Sequence, residues 1–284
     1  MARLDRLSKP ALEAALDAYR AFVFDLEGVV LKEGQVLPGS AAFLHYLQQR
    51  KPVFVFTNST GARDAWLQRL RCLGVDIPRS NLFTAGFAAA QYAKSRGLKR
   101  VYGLGSYGLT QELEEAGLEV LSGAEGDVKN AEEALPEGEV DGVVVGFDSF
   151  FNAYKLARAG HFLRRPQCLL IGTSPERKFR QKGIDLPAAG AQLQAIEYFA
   201  QRKADIVVGK PHQFLMQFLK DQRNFLPRET LMVGDRLDTD MEFARRAGMS
   251  GLLVLSGDST EQQAADRPPT YVAASLGSLS AILS

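Results

Sequence analysis

The chain has 284 residues, 46% of them hydrophobic and 24% charged, with 34 Lys and Arg against 33 Asp and Glu. That length suffices for one large globular domain or two modest ones with a real core, and a net charge of +1 offers no broad field for nucleic acid or an anionic membrane. No apolar run is long enough to span a membrane, and residues 1–20 read as a charged amphipathic helix rather than a signal peptide. A soluble cytoplasmic protein is expected, with any anion site built locally. The two cysteines, Cys72 and Cys168, sit far apart in apolar stretches without metal-ligand spacing, and both read as small buried hydrophobes.

The predicted elements alternate along the chain. The run AFVF at 21–24 stops at Asp25, and VFVF at 53–56 stops at Thr57-Asn58. After a long middle section, 206–208 stops before Gly209-Lys210, and 230–233 before Gly234-Asp235. Continuous apolar runs without polar alternation fit strands buried on both faces of a parallel sheet. Helical patterns over 41–50, 62–73, 214–222 and 240–247 lie between and after them. The middle repeats the alternation, with strands predicted at 101–104, 142–145 and 168–171 and helices at 91–96, 109–116 and 152–163. The whole reads as a doubly wound α/β fold, with a core from 1–84 and 204–284 and an inserted α/β domain over 85–203. The acidic stretch 125–139 reads as a solvated surface excursion.

Open α/β sheets bind ligands beyond the carboxyl ends of their strands. Four strand ends carrying Asp25, Thr57-Asn58, Lys210 and Asp235 therefore describe one site gathered from distant sequence. A carboxylate such as Asp25 is a competent nucleophile when the incoming anion is neutralised. A hard divalent cation held by Asp25 and Asp235 would do this. Thr57 and Asn58 bring donors for phosphate oxygens, and Lys210 a compact positive charge. In-line phosphoryl transfer is the chemistry such a set fits.

The ordered segments FDLEGVV, FTNST, VGKPH and VGDRLDTD resemble the four motifs of the haloacid dehalogenase-like phosphatases. More narrowly they resemble the branch that holds 4-nitrophenylphosphatase, phosphoglycolate phosphatase and pyridoxal phosphatase. The resemblance implies a Rossmann-like core, a cap domain that selects the substrate, and Mg2+-dependent hydrolysis of a small phosphorylated metabolite. It implies that Asp25 carries the phosphoryl group and that Asp25, the backbone carbonyl of Glu27 and Asp235 hold the metal. Thr57, Asn58 and Lys210 would bind phosphate, and Asp240 would support the metal site, with Asp238 as a competitor better explained as a helix cap. A homodimer through the cap is left open.

Two positions depart from the family pattern. Glu27 stands where an Asp acid–base group is usual, so its carboxyl is displaced by one methylene; misplacement of about 1 Å costs on the order of a hundredfold in rate. Two alternatives follow, a weak or inactive relative that only binds a phosphate ligand, and a phosphotransferase. Ser59 replaces a frequent Asn and is expected to be tolerated. Among other residues, the basic cluster Arg177, Lys178, Arg180 and Lys182 follows a cap strand, and Arg177 and Lys178 are the candidates for contact with an acidic group on the substrate. His45, His161 and His212 are scattered without metal spacing and read as surface or helix residues. The glycines at 103–108 fit a strand-to-helix turn, and Trp66 reads as core.

Overall fold

A computed structural model of the chain describes residues 1–122, 130–132, 138–223 and 225–284. The polypeptide divides into two compact units, one of residues 1–57, 67–83 and 210–284, the other of residues 58–66 and 84–209. Most of the acidic stretch 125–139 lies outside the described residues. Among the described residues no helix is long and apolar enough to cross a membrane.

The first unit is built on a seven-stranded sheet in the order Ala2–Arg3, Tyr271–Ala273, Ser250–Val254, Thr230–Gly234, Ala21–Phe24, Val53–Thr57, Leu82–Thr84. The pairings from Ala2–Arg3 across to Val53–Thr57 are parallel. Ala21–Phe24, Val53–Thr57 and Thr230–Gly234 are buried at every residue, which is why their sequences run apolar without alternation. From Ala21–Phe24 the chain winds outward to Val53–Thr57; from Thr230–Gly234 it winds the other way. The reversal of strand order falls between these two neighbours, where Phe24 pairs with Val233. Their carboxyl ends therefore flank the ligand crevice expected of an open α/β sheet.

The amphipathic helix expected over 1–20 is shorter. Residues Ala2–Arg3 join the sheet edge beside Tyr271–Ala273, and the helix is Lys9–Asp17, with Pro10 in its first turn. Proline is tolerated only in a first helical turn, so it fixes the start. Cys72, predicted to be buried, ends the helix Arg63–Cys72 and is exposed; Cys168 is buried.

The second unit carries a five-stranded parallel sheet in the order Ile206–Val207, Leu169–Gly172, Gly142–Val145, Arg100–Leu104, Glu119–Ser122. Here the structure corrects the sequence reading. The strand predicted at 206–208 pairs with Leu169–Gly172, so it belongs to this second sheet, and the chain re-enters the first unit at Lys210 rather than near 204. Residues 58–66 also belong here. The Arg63 guanidinium is held by the buried carboxylate of Glu112 at 3.0 Å and lies over the Phe87 ring. Trp66 is half-buried, not core, and its indole N–H donates to the Ser59 hydroxyl at 2.9 Å. Of the glycines at 103–108, Gly105 sits in the turn between Arg100–Leu104 and the helix Tyr107–Glu115, while Gly103 ends up in the strand and Gly108 in the helix.

Candidate active site

Asp25 is the first residue past Ala21–Phe24, its N–H still bonded to the Val233 carbonyl at 2.9 Å. Its Oδ1 accepts a hydrogen bond from Lys210 Nζ at 2.7 Å, and the same ammonium donates to Asp240 Oδ1 at 2.6 Å and to the Phe56 carbonyl at 2.8 Å. Lys210 is buried. Burial alone would lower its pKa, but the carboxylates of Asp240 and Asp25 outweigh it and hold the ammonium above its usual range.

Asp235 follows Thr230–Gly234 and completes a buried group with Asp25 and Asp240, whose ligating oxygens lie within 4.8 Å of one another. Burial, then the charges of Asp240 and Asp25, push the Asp235 carboxyl up to about 8. Its Oδ2 accepts from the Asp258 N–H at 2.8 Å, while Oδ1 is buried with no hydrogen-bond partner among the described residues. Gly28, at φ 77°, and Gly257 make room for this carboxylate: a Cβ on either would lie within 2.3 Å of Asp235 Oδ2. Once ionised, three carboxyls beside one ammonium leave the group short of positive charge, and an orphaned carboxyl oxygen marks where a cation belongs. The donor set is all hard oxygen, the chemistry that suits Mg2+. The residues fit a divalent ion.

Asp240 lies in the π-helical turn Leu237–Met241 and is fully buried, with Oδ1 on Lys210 and Oδ2 on the Arg236 N–H at 3.2 Å. A side chain so committed orients Lys210. Asp238, read as a helix cap, is instead exposed and paired with the Arg236 guanidinium at 3.0 Å. Thr57 ends the buried strand Val53–Thr57. Asn58, on the other side of the division between units, donates its amide to Glu176 Oε1 at 3.0 Å. Glu27 is exposed, yet partial desolvation raises its carboxyl above the usual range, with the Arg69 charge opposing. A raised carboxyl suits a proton donor near neutral pH.

Lys178 opens a hairpin, Lys178–Gln181 against Ile184–Pro187, and its ammonium pairs with Asp185. Arg177 precedes it and is exposed. The three histidines are exposed, and His212 Nδ1 accepts from the Phe214 N–H at 3.1 Å, capping the helix that follows.

The family model described as "Haloacid dehalogenase-like hydrolase" matches residues 22–119, and a HAD-hydrolase-like model matches 207–279. The chain is 34% identical over 254 residues to phosphoglycolate phosphatase 1A, chloroplastic, of Arabidopsis thaliana, covering 85% of this chain and 70% of that one. The chain belongs to the haloacid dehalogenase-like hydrolases. Its fold is shared with 4-nitrophenylphosphatase of Thermotoga maritima at a TM-score of 0.81 and 30% identity, over 95% of this chain and 99% of that one. It is shared too with a glycerol phosphate phosphatase of Mycobacterium tuberculosis in complex with magnesium, at 0.79 and 26% identity, over 93% and 77%. Within the haloacid dehalogenase-like hydrolases the chain falls in the phosphatase branch, and it is a phosphoric monoester hydrolase.

One part of this phosphatase site escaped the sequence reading. The strand Ser250–Val254 ends at Leu255-Ser256-Gly257-Asp258, which meets Asp235 and the Gly28 loop. The signal was present, an apolar run GLLVL giving out into polar residues, and it has the form of the four strand ends that were recognised.

Proposed function

We propose that the chain hydrolyses small phosphomonoesters through an aspartyl-phosphate on Asp25, with Mg2+ held by Asp25, Asp235 and the Glu27 backbone carbonyl. The observation that carries the proposal is the buried Asp25–Lys210–Asp240 triplet beside Asp235 at the reversal of strand order. When bound, a divalent ion supplies positive charge at the phosphoryl oxygens. Lys210 fixes the Asp25 carboxylate by Oδ1 and adds the second positive charge. An Asp25 oxygen forms a bond to phosphorus as the ester P–O bond breaks, and the Glu27 carboxyl gives its proton to the departing alkoxide. Water then attacks the same phosphorus and gives a proton to Glu27; phosphate leaves and the Asp25 carboxylate returns.

Thr57 and Asn58 are proposed to bind the phosphoryl group, and the second unit to serve as a cap that selects the substrate. Two relatives are named for phosphoglycolate and glycerol phosphate, which directs the substrate search to short phosphorylated acids and polyols. A panel of such esters, assayed with Mg2+ and with a chelator, tests the reading. Turnover that needs the metal and vanishes in Asp25→Asn supports it; turnover retained in Asp25→Asn overturns it.

A further inference from the structure

We propose that the turn at residues 256–259 is a positioning device for the metal site, acting through two clamps, one on Asp235 and one on the peptide next to Glu27. The inference rests on the metal reading above and names residues outside the ligand set that set its geometry.

The first clamp fixes which oxygen of Asp235 is offered. The Asp258 N–H donates to Asp235 Oδ2 at 2.8 Å, and the Ser259 N–H donates to the Asp235 carbonyl at 3.1 Å. The Ser259 hydroxyl accepts from the Leu237 N–H at 3.2 Å, so the turn grips the chain at Asp235 and again two residues beyond it. Gly257 presses on the same carboxylate: a Cβ there would fall 1.9 Å from Oδ2 and 2.5 Å from the Asp235 Cβ. Gly28 lies against the same oxygen, its own Cβ position 2.3 Å from Asp235 Oδ2 and 3.0 Å from the Gly257 Cα. With Oδ2 bonded and wedged, the carboxylate is held in a setting that leaves Oδ1 buried without a partner among the described residues.

The second clamp holds the loop after the nucleophile. The Ser256 hydroxyl donates to the Gly28 carbonyl at 2.6 Å, and Lys32 Nζ donates to the Ser256 carbonyl at 2.7 Å. Gly28 N–H bonds back to the Leu31 carbonyl at 2.7 Å. The Glu27–Gly28 stretch is thereby tied to the turn that orients Asp235. Two of the three proposed ligands share one support, and neither Ser256 nor Gly257 is itself a ligand. Partners of this kind typically set metal affinity by about 10- to 100-fold.

The test is direct titration of Mg2+ by calorimetry, without substrate, on wild type, Ser256→Ala, Ser256→Thr and Gly257→Ala. Gly257 does not need a positive φ, so alanine there reports the collision with Asp235. Ser256→Ala is expected to weaken Mg2+ about tenfold and Gly257→Ala about a hundredfold. Ser256→Thr, which keeps the hydroxyl, should bind as wild type does, and the metal-free melting temperature of Ser256→Ala should match wild type. Equal Mg2+ affinity in Ser256→Ala and wild type overturns the positioning role, whatever becomes of Gly257→Ala. Failure of wild type itself to bind Mg2+ overturns the metal reading instead.

Discussion

Replacing Lys210 by Met removes a side chain that bonds three acceptors at once, Asp25 Oδ1 at 2.7 Å, Asp240 Oδ1 at 2.6 Å and the Phe56 carbonyl at 2.8 Å. Methionine fills similar space but donates nothing, so two carboxylates are left facing each other and Asp235. Removing one partner of a buried ion pair costs about 3–5 kcal/mol. Proton uptake sets an independent ceiling, because neutralising an ordinary carboxylate at pH 7 costs about 4 kcal/mol. The two figures agree, and they translate into a melting temperature lower by on the order of 10 °C for a chain of this size. Thermal melts in chelator at pH 7 measure it. Adding Asp240→Asn to Lys210→Met takes away one stranded charge and should recover about half of the loss. A loss below about 1 kcal/mol, or no recovery in the double variant, would show that Lys210 does not neutralise the cluster.

Glu27→Asp draws the acid–base carboxyl back by one methylene and is expected to raise kcat for 4-nitrophenyl phosphate, by up to about a hundredfold; an unchanged kcat means the longer side chain already reaches. Arg177→Ala should raise KM for phosphoglycolate about tenfold while sparing 4-nitrophenyl phosphate. Lys178→Ala should do less, since Lys178 is already paired with Asp185; equal effects of Arg177→Ala on both esters refute the contact. The pH dependence follows from Asp235, whose carboxyl stands at about 8 in the folded chain against 3.8 ordinarily. Between those values the folded state keeps a proton that the unfolded state has lost, so stability falls as pH rises. Melting temperature in chelator should drop across that window, and saturating Mg2+ should flatten the slope. A flat profile in chelator would contradict the crowding of the three carboxylates.

What could be read from sequence was whatever the pattern of apolar runs and their polar ends encodes. The runs at 21–24, 53–56 and 230–233 are buried on both faces, and Asp25 and Asp235 stand at the carboxyl ends of adjacent strands. Such a run does not say which sheet it joins. Ile206–Val207 therefore looked like a core strand although it pairs with Leu169–Gly172, and Lys210 reaches the first unit from outside its sheet. Ala2–Arg3 is too short to show any periodicity. The hairpin at Lys178–Gln181 and Ile184–Pro187 is mostly solvent-exposed, so its alternation is faint, and only its basic residues stood out. Cys72 misled because hydrophobic neighbours in a helix do not determine which face a residue occupies. The bond from Lys210 to Asp240 could not be foreseen either, since it depends on the turn Leu237–Met241, where Gly234 lets the Asp240 side chain approach the strand end.

Catalysis by this site turns on a covalent bond between phosphorus and one carboxylate. Rapid quenching during turnover, followed by borohydride reduction and peptide mass spectrometry, should convert the acyl phosphate of Asp25 to homoserine and leave every other Asp and Glu intact. Reduction confined to another residue, or turnover with no reducible acyl phosphate in wild type and undiminished rate in Asp25→Asn, would contradict it.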